Sequence, residues 1–298
     1  MINCSSFPPF VCPYDHNPLT LSKESQLYHC GNCNKIFPVI NGIPDFLAHG
    51  MDVKSEEHLK ERDEWIKDDK IDYGDPFRNA IEVPGILERL DAQDGDIVLD
   101  AACGKGRLAI PLLQQKDVRV VGVDFSGPAL VGFARRAPDP TRVRLAKADL
   151  AWLPFPPQSF DCAMAVELLS HLPTNEVVNA VLTGLRDSLK PGGKLIITAI
   201  NYSWGNRAVL KYEKIGCFPD TQIFVHFYDK DELLTLLKKY FIVNHIDCLF
   251  SRVPKLTGLF SHLGSMGVGL NTRFDQVFRH FSAAEKYGWL LVADCTVP

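Results

Sequence analysis

From about residue 81 onward, short apolar runs alternate with helix-length amphipathic stretches. The runs at 97–100, 118–124, 143–146, 160–166 and 194–200 are rich in β-branched residues and apolar on both faces, as strands covered by helices on each side must be. The amphipathic stretches at 106–115, 126–136 and 175–189 predict helices between them, the last halted by Lys190-Pro191-Gly192-Gly193. Two further strands are expected at 241–249 and 289–296. Strand–helix alternation of this kind predicts an α/β fold with a largely parallel sheet.

The texture changes along the chain. Residues 1–50 are rich in Cys, Pro, Asn and Gly and read as a small module without long helices. Residues 51–82 are highly charged, a solvated helical linker that meets the turn Tyr73-Gly74-Asp75-Pro76. Residues 83–298 carry the α/β pattern, with insertions at about 201–228 and 253–281. No repeat or low-complexity segment is visible. The 298 residues are 46% hydrophobic with a net charge of -4, which suits a folded protein and disfavours a partner gripped through nucleic-acid phosphates. No apolar run predicts a membrane span, and the start lacks the basic-then-apolar pattern of a secretory leader. Nine cysteines, an odd number scattered over a long chain, point to a reducing cytoplasm rather than a disulfide scaffold.

Candidate chemistry begins after the first strand, at Asp100-Ala101-Ala102-Cys103-Gly104-Lys105-Gly106-Arg107. Small residues there permit a sharp turn and close backbone approach to a ligand. The glycine spacing fits neither a phosphate-binding loop nor the full dinucleotide fingerprint, which sets aside a Rossmann dehydrogenase. Acidic residues also end the second strand (Asp124), follow the third (Asp149) and follow the fourth (Glu167). Carboxyl ends of strands in an open sheet converge on one crevice, so these acids are expected to line one pocket, with Asp124 suited to a ribose diol.

Leu99–Gly106, Val123-Asp124-Phe125-Ser126, Ala148–Phe155, Ser159-Phe160-Asp161 and Leu189–Lys194 together resemble the class I S-adenosylmethionine-dependent methyltransferases, especially their small-molecule branch. The resemblance implies a Rossmann-like seven-stranded sheet whose last strand is antiparallel, with helices on both faces. It also implies S-adenosylmethionine as cofactor. Asp100, Ala102, Gly104, Gly106, Asp124, Phe125, Ser126, Asp149, Leu150 and Glu167 would then form its site. Gly104 and Gly106 take the methionine moiety, Asp124 the ribose, Phe125 the adenine face, and Asp149 with Leu150 the adenine edge. Ala102 departs from the family, which most often has glycine there.

At the front, Cys12-Pro13-Tyr14-Asp15-His16 and Cys30-Gly31-Asn32-Cys33, with the tail Phe37–Leu47, resemble the Trm112-like, zinc-ribbon-like module that precedes some methyltransferases. Cys30 and Cys33 have the spacing to share a tetrahedral zinc. Cys12 and His16 complete one ligand set. Asp15, standing where a second cysteine belongs, is the alternative ligand. The other reading is a metal-free remnant held by packing.

Methyl transfer from a sulfonium needs mainly positioning, and a general base only where the nucleophile arrives protonated. His171, after the fourth strand, is the candidate base, with a wall of the pocket as its other reading. Cys217 and His226 lie in an insertion without an evident partner. The motifs that related enzymes use on amino groups of bases, and on carbon 5 of cytosine, are absent. The aromatic insertion at 201–228, with 253–281, is expected to cover an apolar or aromatic small-molecule acceptor or simply to pack a core. The leading expectation is a small-molecule methyltransferase acting at O, N or C. An RNA methyltransferase and a non-catalytic subunit of the same fold are the alternatives.

Overall fold

The computed structural model describes residues 7–47, 60, 63, 75–209, 211–218, 221–253, 256–281 and 283–298. The expected linker helix falls almost wholly outside the described residues.

The front end is an antiparallel sheet of four short strands in sequence order: β1 (Leu19–Ser22), β2 (Leu27–Cys30), β3 (Ile36–Ile40) and β4 (Ile43–Pro44). Helix α1 (Pro76–Leu90) follows, started by Asp75, whose carboxylate accepts from the N–H groups of Phe77 and Arg78. The expected boundary between 82 and 83 lies inside this helix. The main sheet then builds from β5 (Ile97–Ala101), α2 (Ala109–Gln115), β6 (Arg119–Asp124), α3 (Gly127–Arg136), β7 (Val143–Lys147), β8 (Phe160–Ala165), α4 (Asn175–Ser188) and β9 (Leu189–Ile200). The small pair β10 (Ile215–Cys217) and β11 (Phe224–His226), then α5 (Lys230–Leu237), lead to β12 (Ile242–Ser251). Helices α6 (Leu256–Ser261), α7 (Gly264–Phe278) and α8 (Ala284–Tyr287) precede the last strand, β13 (Gly288–Thr296).

The seven-stranded sheet has the order β12-β13-β9-β8-β5-β6-β7. Strands β7, β6, β5, β8 and β9 are mutually parallel, and β13 runs antiparallel between β9 and β12. The final strand is therefore near the edge and reversed, as the family resemblance implied. Alternate residues enter two apolar clusters: Leu99 and Val121 face one side, Val98 and Val120 the other. Both faces are dry because helices cover both.

Two boundaries differ from expectation. Helix α2 begins at Ala109 rather than 106, because Gly104 and Gly106 adopt positive φ (52° and 81°) and hold the preceding segment in turns. Helix α4 stops at Ser188, and β9 already starts at Leu189, paired with Phe160. Lys190-Pro191-Gly192-Gly193 thus belongs to an irregular start of β9, where the register shifts. Gly192 and Gly193 there exchange backbone hydrogen bonds with Val297 at 3.1 and 2.9 Å.

The front module docks on the β7 edge. Asp45 bridges Lys147 in parallel fashion, Phe46 N–H donates to the Lys147 carbonyl at 2.8 Å, and Lys147 Nζ reaches Asp45 at 2.8 Å. An otherwise open sheet edge is partly covered this way.

Candidate functional site

A cavity of about 180 Å³ opens at the carboxyl ends of the parallel strands. Its lining includes Asp100 near the end of β5 and Ala102 just after it, Asp124 at the end of β6 and Phe125 just after it, Asp149 and Leu150 after β7, and Glu167 and His171 after β8. The parallel register places these positions side by side: Ala101 pairs with Val123, and Asp124 with Lys147. Gly104, Gly106 and Ser126 are not among the lining residues; they shape the wall from behind. A Cβ on Gly106 would lie 2.6 Å from the Phe133 ring, so this glycine serves helix packing. Ser126 is fully buried and caps α3, accepting from Ala129 N–H at 3.3 Å.

Asp124 organises the loop. Its buried carboxylate accepts from Gly104 N–H at 2.8 Å and from Ser126 N–H at 2.9 Å, tying the turn after β5 to the start of α3. Each oxygen retains acceptor capacity toward the cavity. Ala102, the position that departs from glycine, has φ 64°, a left-handed conformation that costs an L residue about 1–2 kcal/mol. Its N–H is held by the Val123 carbonyl at 2.9 Å.

Asp100 is 3% exposed, and its Oδ2 has no hydrogen-bond partner. Burial, reinforced by the neighbouring Asp124 charge and opposed by Arg107, pushes this carboxyl up to about 7.

The opposite wall contains a charge network that the sequence reading did not identify. Glu82 on α1 is completely buried and bonds Arg78 Nε at 2.5 Å and Arg107 at 2.9 Å. Arg78 also pairs with Glu167, and Arg107 lies 3.8 Å from the same carboxylate. Burial opposes ionisation of Glu167, but the two arginines prevail and hold it down to about 2. Burial pushes Glu82 upward against the pull of the same arginines. The clue in the sequence was Glu82 itself: it sits among Ile81, Gly85 and Ile86 on the apolar stripe of α1, where a charge requires a partner.

His171 Nδ1 lies 2.8 Å from the Phe224 carbonyl. A carbonyl only accepts, so Nδ1 carries the proton, and in the neutral ring the lone pair falls on Nε2. Neither Cys217 nor His226 lines the cavity. Cys217 is exposed, and His226 stacks on Tyr228 with its Nε2 2.9 Å from Glu232.

In the front module, Cys12, Asp15, Cys30 and Cys33 bring their ligand atoms within 4.8 Å of one another, and Cys12 Sγ lies 3.6 Å from Cys33 Sγ. His16 is exposed and outside this group; its positive φ of 55° closes the turn after Asp15. Three thiols and one carboxylate form a donor set that fits tetrahedral zinc. No disulfide joins the described cysteines. Tyr14, between two of these ligands, stacks on Trp152 at 6.1 Å, and Val11 N–H donates to the Pro154 carbonyl at 3.0 Å. The segment after β7 that carries Asp149 and Leu150 is therefore supported by the front module.

Residues 98–193 match a family described as "Methyltransferase domain". The chain is 32% identical over 145 residues to methyltransferase GfsG of Streptomyces halstedii, covering 44% of this chain and 51% of that protein. The chain spans about half or less of the first curated relatives it matches. Among solved structures, the fold is similar to 1,6-didemethyltoxoflavin-N1-methyltransferase of Burkholderia thailandensis, with a TM-score of 0.56, 17% identity, and 90% and 98% of the two chains covered. It is also similar to a chain of the Haloferax volcanii Trm112 methyltransferase activator complex, with a TM-score of 0.57, 19% identity, and 81% and 97% covered. The sheet order and the family match agree: residues 98–193 of this chain are similar to a methyltransferase domain, set in a Rossmann-like seven-stranded sheet.

Proposed function

We propose that the protein transfers a methyl group from S-adenosylmethionine to an apolar or aromatic small-molecule acceptor. The convergence of Asp100, Asp124, Phe125 and Asp149 on one cavity carries this reading. In it Asp124 receives the ribose hydroxyls, Phe125 packs on the adenine, Asp149 and Leu150 bound its edge, and the Asp100 carboxylate, whose Oδ2 is unpartnered, faces the cationic methionine end. Glu167, fixed by arginines and fully ionised near neutrality, is a wall rather than a proton carrier. His171, with its ring oriented by the Phe224 carbonyl, is the base for an acceptor that arrives protonated. The aromatic insertion from Tyr202 to Tyr228 covers the acceptor side, and zinc held by Cys12, Asp15, Cys30 and Cys33 stiffens the front module.

Incubation of the full chain with methyl-labelled cofactor and metabolite extracts tests the transfer. A small-molecule product one methyl group heavier is expected. Substituting His171→Gln should then lower kcat and flatten its pH profile while leaving cofactor affinity unchanged. No detectable cofactor binding in calorimetry would favour the non-catalytic reading, to which the strained Ala102 lends its one specific support.

A further inference from the structure

The helical insertion between β12 and β13 is built inside out. On α7 the buried residues include Asn271 and Asp275, and Asp275 accepts the Ser251 N–H at 2.7 Å. The exposed side carries Met266, Leu270 and Val277, continued by Phe281, at spacings of four, seven and four. Met266 is 64% exposed, Val277 62% and Phe281 60%. With Leu256, Leu259 and Leu263 just before, seven of the fifteen exposed large hydrophobic residues among those described fall within residues 256–281. Soluble surfaces scatter such side chains singly; a contiguous stripe marks a face that something apolar covers.

Charge indicates what covers it. Residues 252–287 hold five Lys or Arg against two Asp or Glu, in a chain whose net charge is -4. Asp275 among the acids and Arg252 among the bases are turned inward, Arg252 over the Trp289 ring at 4.1 Å, which leaves four cations against one acid. Arg273 is exposed beside the apolar stripe. At the end of the insertion, Lys286 Nζ sits 5.5 Å from the Trp204 ring centre, and Trp204 packs edge-on against Tyr287. An apolar helical face bordered by cations and by amphipathic aromatic residues has the chemistry of an interfacial helix.

We propose that this face docks the protein on an anionic phospholipid surface, lying in the interface rather than spanning the bilayer. A second copy laid on the same face would set basic residues against basic residues, whereas anionic headgroups complement them. The insertion leaves the sheet after Ser251 and returns at Gly288, at the same carboxyl edge as the cavity. The docked protein therefore turns the rim of the cavity toward the bilayer, from which an apolar acceptor would come.

Flotation of the full chain with vesicles, run without cofactor, tests the surface independently of methyl transfer. Vesicles of phosphatidylcholine with phosphatidylglycerol should carry the protein upward, with about tenfold or more preference over phosphatidylcholine alone. The paired substitutions Met266→Asp and Val277→Asp lie at exposed positions. They should abolish flotation with circular dichroism and thermal midpoint unchanged. The substitution Arg273→Glu should reduce the anionic preference while flotation persists. No flotation of the wild-type chain, or equal flotation of the paired variant, overturns the proposal. So does a dimer by light scattering that the paired variant dissolves while vesicles remain unbound.

Discussion

The two side walls of the cavity are held by opposite physics. The wall after β7, with Asp149 and Leu150, rests on the front module through backbone hydrogen bonds and ring packing: Phe10 lies 5.2 Å from Phe46 and 5.4 Å from Phe155. The wall after β8, with Glu167, rests on α1 through a completely buried acid and two arginines. Apolar packing loses stability in steps as atoms are removed, because neighbours relax into part of the space. A buried charge network has no such tolerance, since each removed partner strands another charge in a medium that solvates it poorly.

The largest expected effect breaks the second wall. Glu82→Ala leaves Arg78 and Arg107 facing a single acid and should cost about 3–5 kcal/mol, read from the denaturant midpoint. A loss under about 1 kcal/mol would mean that water reaches the network. On the first wall, metal analysis of the purified chain should find one zinc per molecule, absent from Cys30→Ser together with part of the thermal stability. A metal-free wild type would assign that wall to packing alone.

A smaller effect concerns the floor between the walls. Asp100, raised to about 7, favours the protonated folded state, so the protein measured without added cofactor should lose stability as pH rises from about 4 toward 7. Binding of a cationic cofactor should run the other way, tightening about tenfold from pH 6 to pH 8 as the carboxylate ionises. Asp100→Asn should remove that slope in calorimetry. The smallest effect is local: Ala102→Gly should release about 1 kcal/mol of left-handed strain, visible as a higher thermal midpoint.

The contrast between the walls also explains what could be read from the sequence. The strands and the gathering of Asp100, Asp124 and Asp149 at one edge follow from local periodicity plus the rule that parallel strands end together, whereas the reversed last strand was implied only by the family resemblance. The Glu82–Arg78–Glu167 network joins positions far apart in the chain, and nothing local in a helix announces which strand end it will meet. His16 and Asp15 were both plausible ligands by chemistry, and only the direction of the turn after Cys12 separated them. Asp124 shows a further limit. From sequence alone its replacement by alanine should leave the fold intact, yet the structure makes its carboxylate the acceptor for two backbone N–H groups. Asp124→Ala would strand both at about 1–3 kcal/mol each, so its affinity loss could not be assigned to the ribose.

The central claim is that the cavity is shaped for an adenosyl sulfonium and not for a phosphorylated dinucleotide. Calorimetry of the unmodified chain with S-adenosylhomocysteine and, separately, NAD addresses it directly. The account predicts one saturable site for the first and no heat of binding for the second. Saturable binding of NAD with none of S-adenosylhomocysteine would contradict it.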